Sequence, residues 1–191
     1  MQDYISFAEK NGVTLDSEGS CQFCGAKTAK GVHECVEIFN LGFSMIDYSK
    51  KENHFYRFLA VDAHTLQHSE IHGRWNNHFH LTRQHLIFEY GVFWDYNLSA
   101  LLSDCLKVYK TKNPNEVLIA PSLLQRGKST VLDVKNNTVD EISCKKSIKT
   151  WGRDVYQVWN AYHQIVDVIA KRFMDKNKNL HKNGGFIQDE H

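Results

Sequence analysis

Apolar side chains recur at helical spacing through most of this chain. The clearest run starts at Cys35, and Ile38, Leu41 and Met45 follow at intervals of three or four residues up to Tyr48. This spacing places the side chains on one face of an α-helix, which can then bury that face against a neighbour. The pattern therefore predicts a helix over residues 35–48.

The same periodicity appears in five other segments. The predicted helices cover residues 2–10, 54–67, 74–90, 97–110 and a last stretch that starts at Thr138 or Asp140 and runs to about residue 174 (140–174 below). Gly91 is a normal helix stop and Asn97 a good helix cap. Only two prolines occur, Pro114 and Pro121, so long helices can run without a break before them. We therefore expect an all-α fold, a helical bundle of about five helices.

Residues 111–138 interrupt the helical pattern. They contain both prolines, a glycine at position 127 and two β-leaning pieces, VLIA and TVLDV. This composition predicts a short irregular insert with one β-hairpin.

Three of the five cysteines cluster near the N-terminus. Cys21 and Cys24 are separated by two residues and followed by Gly25, and Cys35 comes eleven positions after Cys24. Two thiolates at this spacing can coordinate one tetrahedral zinc ion, and the glycine lets the backbone turn beneath the ion. The odd number of cysteines argues against a disulfide framework. A redox-active or incidental pair remains the alternative to a metal site.

Two histidines compete for the fourth ligand position. His33 lies close to the cysteines in sequence. If helices 35–48 and 54–67 form an antiparallel hairpin that turns near residue 51, however, Cys35 and His68 lie at the same end of it. We therefore predict that His68 is the fourth ligand, with His33 as the alternative. Four protein ligands leave no open position, which predicts a structural rather than a hydrolytic zinc ion.

These features predict one helical domain over residues 1–175. Residues 11–35 form its zinc knuckle segment and residues 111–138 its irregular insert. The polar, Gly- and Asn-rich stretch 176–191 is typical of a flexible tail. The two remaining cysteines, Cys105 and Cys144, are expected to be buried thiols.

Three polar residues fall on apolar helix faces. Asp62 lies between apolar positions of the second long helix, His80 shares a face with Ile87, and His163 continues the stripe of the last helix. One interpretation is a buried hydrogen-bond network that fixes helix register. The other is a cleft in which Asp62 orients His80 or His163 as a general base or as a ligand of a second metal. Arg83 and Glu89 can contribute to either.

At these positions the chain resembles a bacterial family of unknown function, domain-of-unknown-function family 5946. The resemblance spans residues 21–173 and rests on Cys21-Gln-Phe-Cys-Gly-Ala, Cys35, Leu59-Ala-Val-Asp-Ala-His-Thr-Leu-Gln-His68, His80-Leu, Glu89-Tyr-Gly, Thr130-Val-Leu-Asp-Val and Trp151 through His163. The family carries no assigned activity. The resemblance therefore supports a site without supplying a reaction, and it implies a bacterial source.

Charge and hydropathy argue against several classes of function. Charged residues make up 24% of the chain and the formal net charge is +1, which provides no long-range attraction to nucleic acid or anionic membranes. No apolar run approaches the roughly 20 residues needed to cross a bilayer. The first residues lack the apolar core of a secretory signal, so a cytoplasmic location is expected.

Three functions are compatible with these patterns, and the oligomeric state stays open. The first is a zinc-stabilised binding module whose segment 72–96 contacts another protein through Trp75, Phe93 or Trp94. The second is a metal-dependent or general-base enzyme, hydrolase-like, that uses Asp62, His80 and His163. The third, which the near-neutral charge disfavours, is a nucleic-acid binder that uses the knuckle together with Lys27, Lys30, Lys145, Lys146 and Lys149.

Overall fold

The structure is a computed structural model that describes residues 4–41 and 43–177. Within these ranges the chain is all-α, as predicted, and has eight α-helices where the sequence suggested about five. The helices are α1 (Tyr4–Lys10), α2 (Gly31–Leu41), α3 (His54–Gln67), α4 (Arg74–Phe88), α5 (Tyr96–Lys112), α6 (Val131–Asn136), α7 (Glu141–Val158) and α8 (His163–Lys176). None of these helices is long and apolar enough to cross a membrane.

The core forms around α3 and α7, which pack against each other, while α4 packs on α3 and α8. Gly152 makes the α3–α7 approach close, because a Cβ atom at this position would lie 2.6 Å from Cδ1 of Leu59. Trp94, Trp151 and Trp159 are buried in this core. The predicted helix over residues 54–67 coincides with α3, and Cys105 and Cys144 are buried thiols as expected.

The helix predicted over residues 35–48 is shifted in the structure. α2 starts four residues earlier, where the Glu34 carboxylate accepts hydrogen bonds from the backbone N–H groups of Ala29 at 2.6 Å and Lys30 at 3.1 Å. It ends at residue 41. Phe43 and Ile46 are buried although they lie beyond the helix, so the apolar pattern continued past the point where the helix stops.

The single long helix predicted over residues 140–174 is wrong. The structure has two helices, α7 and α8, separated by a 3-10 turn at Asn160–Tyr162. Trp159 is buried at the break, so the apolar stripe runs through it and carries no signal of the interruption. The break lets α7 pack on α3 while α8 packs on α4 and α5.

The hairpin predicted within the insert is also wrong for the described residues. The TVLDV piece forms α6, with a capping box in which the Asp133 carboxylate accepts the Thr130 backbone N–H at 2.7 Å. The VLIA piece belongs to no strand among the described residues, and the N–H of Ile119 donates to the Tyr162 hydroxyl at 3.1 Å. The one β-bridge among the described residues joins Gly19 to Lys30.

Two boundary predictions remain. The end of the domain at residue 175 stays a prediction. Most of the tail predicted over residues 176–191 lies outside the described residues.

Candidate metal centre

The Cys-x-x-Cys segment forms a tight turn. The backbone N–H of Cys21 donates to the carbonyl of Ala26 at 2.9 Å, and that of Gly25 donates to the carbonyl of Cys21 at 2.8 Å. Gly25 has a φ of +75°, a left-handed conformation that glycine adopts without a side-chain clash. The glycine after the second cysteine therefore allows the chain to fold back under the two sulfurs.

The structure brings the four predicted ligands together. Cys35 lies in α2, and His68 is the residue that follows α3. The Nε2 atom of His68 lies 3.4 Å from Sγ of Cys21 and 3.4 Å from Sγ of Cys35. The Sγ atoms of Cys24 and Cys35 are 3.6 Å apart. All four ligand atoms lie within 4.8 Å of one another, and all four residues are buried.

These distances suit a tetrahedral metal ion. With metal–sulfur bonds near 2.3 Å and metal–nitrogen bonds near 2.1 Å, tetrahedral angles place two sulfurs about 3.8 Å apart and a sulfur and a nitrogen about 3.6 Å apart. The observed separations of 3.6 Å and 3.4 Å are close to both values. The cluster can therefore hold a metal ion with little movement of its side chains.

The ring of His68 is oriented before any metal binds. Its Nδ1 atom lies 2.6 Å from the carbonyl oxygen of His64, so Nδ1–H donates and Nε2 faces the sulfurs. The His64 ring stacks on it at 4.0 Å, and Phe39 stacks on His64 at 4.1 Å. Phe23 meets the same ring edge-on at 5.8 Å. These contacts fix the plane of the imidazole and direct Nε2 towards the sulfurs.

The four groups compete for protons when no metal is bound. Hydrogen bonds from Cys24 and Cys35 lower the pKa of the Cys21 thiol far below its usual value, whereas hydrogen bonds to Cys21 and Cys24 raise the pKa of the Cys35 thiol. Burial opposes protonation of His68, but Cys24 and Cys21 raise the pKa of its imidazole to about 10. Without a metal these shifts favour the thiolate of Cys21 and the protonated ring of His68, and a ligand atom must give up its proton to bind a metal ion.

Arg126 of the insert ties the knuckle to α3. Its Nη1 donates to the carbonyls of Phe23 at 2.8 Å and Gln67 at 3.1 Å, and it pairs with the Glu70 carboxylate at 2.9 Å. In return the Gln67 side chain donates to the Arg126 carbonyl at 2.9 Å and accepts the indole N–H of Trp151 at 3.0 Å. The insert and α7 therefore brace the backbone on both sides of the metal centre.

The sequence analysis missed Arg126 and Gln67. The contact between Arg126 and Phe23 spans 103 positions, and no local pattern encodes it. The one available signal was the position of Gln67, directly before the predicted ligand His68.

The alternative ligand, His33, lies outside the cluster. Its Nδ1 atom is 2.5 Å from the hydroxyl of Tyr4, and the two rings are 5.8 Å apart. His33 is half-buried and belongs to the contact between α1 and α2.

Asp62 and His80 meet in a second buried cluster. Oδ1 of Asp62 lies 2.6 Å from Nδ1 of His80, and Arg83 Nε donates to both carboxylate oxygens at 3.0 and 2.9 Å. The Arg83 guanidinium also lies 4.7 Å from the centre of the Phe58 ring. Burial lowers the pKa of His80 below its usual value, although the Asp62 carboxylate opposes this shift. The carboxylate is paired with two donors from α4 and joins that helix to α3.

The structure does not place His163 with Asp62 and His80. Its Nε2 donates to the backbone carbonyl of Tyr156 at 3.0 Å, and its ring stacks on the Tyr156 ring at 4.0 Å. The Tyr156 hydroxyl contacts Nδ1 of His85 at 2.8 Å and donates to Glu89 at 3.1 Å. Among the described residues, no hydrogen bond or ion pair links this group to Asp62.

The predicted protein-binding anchors are largely internal. Trp94 is buried in the core, and Phe93 stacks on Phe55 at 5.2 Å. Trp75 is half-buried, with the Lys110 ammonium 5.6 Å from its ring centre. The predicted anchors of segment 72–96 therefore pack mainly inside the protein.

One of the comparisons with known proteins finds a relationship. No curated protein and no solved structure matches the chain. One family model matches residues 19–160, a span that contains the four clustered residues and the Asp62–His80 contact. The chain therefore belongs to the family of unknown function DUF5946.

Proposed function

We propose that this protein is a zinc-stabilised helical binding module in which Cys21, Cys24, Cys35 and His68 hold one zinc ion. The observation that supports the proposal is the convergence of three sulfurs and one oriented imidazole nitrogen in a buried centre. Three soft thiolates and one imidazole in tetrahedral arrangement are a ligand set typical of structural zinc. A reducing cytoplasm, where such thiols stay reduced, is the location that suits this chemistry.

The zinc ion has a structural role in this proposal. Four protein ligands fill a tetrahedral ion and leave no position for water or substrate. The ligands come from the knuckle, from α2 and from the end of α3, so one ion joins three segments.

The proposed activity is the binding of a protein partner at the insert. The insert exposes apolar side chains: Leu124 is 96% exposed and Ile119 is 70% exposed. Leu123 lies 3.9 Å from the position that a Cβ atom at Gly25 would occupy, so this part of the insert rests on the knuckle. Exposed apolar residues concentrated in one segment favour a protein partner.

Metal analysis combined with hydrogen exchange tests the proposal. Protein purified without chelators is expected to contain about one zinc ion per chain. After chelation, amide exchange should rise in residues 19–30 and 121–130, which Arg126 connects, before it rises in α7. The absence of zinc, or an equal rise throughout the chain, would contradict a local structural role.

A further inference from the structure

A cleft lies between the end of α4 and the second half of α7. It has a volume of about 690 Å³. Its polar lining consists of Glu89, Lys149, Thr150, Arg153, Asp154 and Gln157. Phe55 and Phe88 supply apolar surface between them. We call this the α4–α7 cleft, and its size is that of ordinary small-molecule sites.

The carboxylates of the α4–α7 cleft are occupied by donors from the chain itself. Oε1 of Glu89 accepts the Tyr156 hydroxyl at 3.1 Å. Oδ2 of Asp154 accepts the backbone N–H groups of Lys128 at 2.6 Å and Ser129 at 2.7 Å. These hydrogen bonds hold both carboxylates in place. They also use part of the capacity of each carboxylate to accept hydrogen bonds.

The cations of the cleft have no such partners. Within the described part of the chain, neither Lys149 nor Arg153 lies within 4.0 Å of a carboxylate oxygen. They are four positions apart on α7, which places them on one face, one helical turn from each other. The Arg153 guanidinium lies 4.8 Å from the centre of the Phe88 ring, which holds it over the cleft.

A neighbouring groove continues along α7. It has a volume of about 380 Å³ and shares Thr150 with the α4–α7 cleft. Lys146 lines it and is likewise within 4.0 Å of no carboxylate oxygen among the described residues. Three cations along one helix therefore face two connected depressions.

We propose that the α4–α7 cleft binds a small phosphorylated, hydroxylated metabolite of the sugar phosphate class. Lys149 and Arg153 hold the phosphate, because a pair of cations one turn apart matches a doubly charged group with several acceptor oxygens. The free acceptor capacity of Glu89 and the side chains of Thr150 and Gln157 receive the hydroxyl groups. None of the residues that line the cleft is a proposed zinc ligand.

Ribose 5-phosphate is a suitable probe. It is titrated into the full zinc-loaded chain at low ionic strength and followed by amide chemical shifts. Changes are expected at residues 88–91 and 146–157, with a dissociation constant on the order of 1 mM or tighter. Ribose and inorganic phosphate, titrated separately, should each bind more weakly. No shift change in these segments would overturn the proposal.

The variant that tests the site combines Lys149→Gln with Arg153→Gln. Both side chains are exposed, so the fold should persist, which the dispersion of the amide spectrum verifies. Binding should weaken about tenfold or more, because two charge-assisted contacts are lost. Lys10→Gln with Lys112→Gln removes the same charge from exposed positions outside the cleft and should change binding less than twofold.

Two further results would overturn the proposal. Equal weakening by both double variants would mean that net charge, and not the cleft, attracts the probe. Equal affinity for inorganic phosphate and ribose 5-phosphate would mean that the hydroxyl-binding part of the cleft does not exist.

Discussion

The middle and the end of α3 hold their buried polar groups in different ways. In the middle, the Asp62 carboxylate meets the Arg83 guanidinium and the ring of His80, so the chain supplies its own counter-charge. At the end, His68 meets three thiols, and its imidazole is the one group of this cluster that can carry a positive charge. The first cluster is balanced by charges of the chain itself, whereas the second is the cluster for which we propose an imported ion.

The difference predicts that the two clusters respond to different changes. A buried charge without its partner is costly wherever it lies. For the middle of α3 the partner is removed by substitution, and for the end of α3 it is removed by chelation or by loss of a thiol.

The largest effect is expected for Cys35→Ser. Zinc content should fall from about one ion per chain to near zero, and most of the roughly 10 kcal/mol that a structural zinc ion contributes in small domains should be lost. Elemental analysis and denaturant unfolding measure the two quantities. Cys105→Ser is the matched control, since Cys105 is an equally buried thiol outside the cluster, and it should keep its zinc. If both variants lost zinc equally, the experiment would not distinguish Cys35 from Cys105 as a zinc ligand.

Asp62→Ala should destabilise the protein without releasing zinc. It leaves the Arg83 guanidinium buried and unpaired, which costs about 3–5 kcal/mol. Replacing both partners, with Asp62→Leu and Arg83→Met, should restore most of this loss. Denaturant unfolding and zinc content, measured on the same samples, provide the test. Loss of zinc from Asp62→Ala would show that the two clusters are coupled.

Lowering the pH should affect the metal centre before it affects the rest of the fold. Because the pKa of metal-free His68 is raised to about 10, zinc must displace a proton there at neutral pH, and thiolates add to this competition as the pH falls. Each competing proton weakens zinc binding by about tenfold, or 1.4 kcal/mol, per pH unit. Zinc release to a coloured chelator should therefore begin at a higher pH than loss of the helical circular dichroism signal. The reverse order would contradict the comparison.

The smallest effect is expected for His33→Ala. This change removes the contact with the Tyr4 hydroxyl and costs about 1 kcal/mol, with full zinc content. His68→Ala, by contrast, should release the ion. If His33→Ala released zinc instead, the ligand set proposed here would be wrong.

The sequence predicts the parts of this molecule that depend on local spacing. The bounds of α3 follow from its apolar periodicity, and the knuckle follows from the Cys-x-x-Cys-Gly order. The choice of His68 over His33 required only the assumption that two helices run antiparallel. The four residues selected in this way are the four that meet in the structure.

Sequence patterns do not predict the features that depend on contacts between residues far apart in the chain. The break between α7 and α8 lies within an unbroken apolar stripe, so no residue type marks it. The TVLDV piece favours a strand by its β-branched residues, yet the Thr130–Asp133 capping box starts a helix there. The place of Arg126 beside the metal centre depends on carbonyl groups of Phe23 and Gln67, and backbone acceptors leave no trace in a sequence.

The position of the ligands along the chain has a consequence for the order of folding. All four lie within the first 68 of 191 residues, whereas α7, which covers α3, begins at residue 141. During synthesis the four cluster residues leave the ribosome long before the helix that completes the core, so the zinc ion that we propose would be able to join the first half of the chain while the second is still being made. On that proposal, Arg126 would meet a knuckle already ordered by its metal ion.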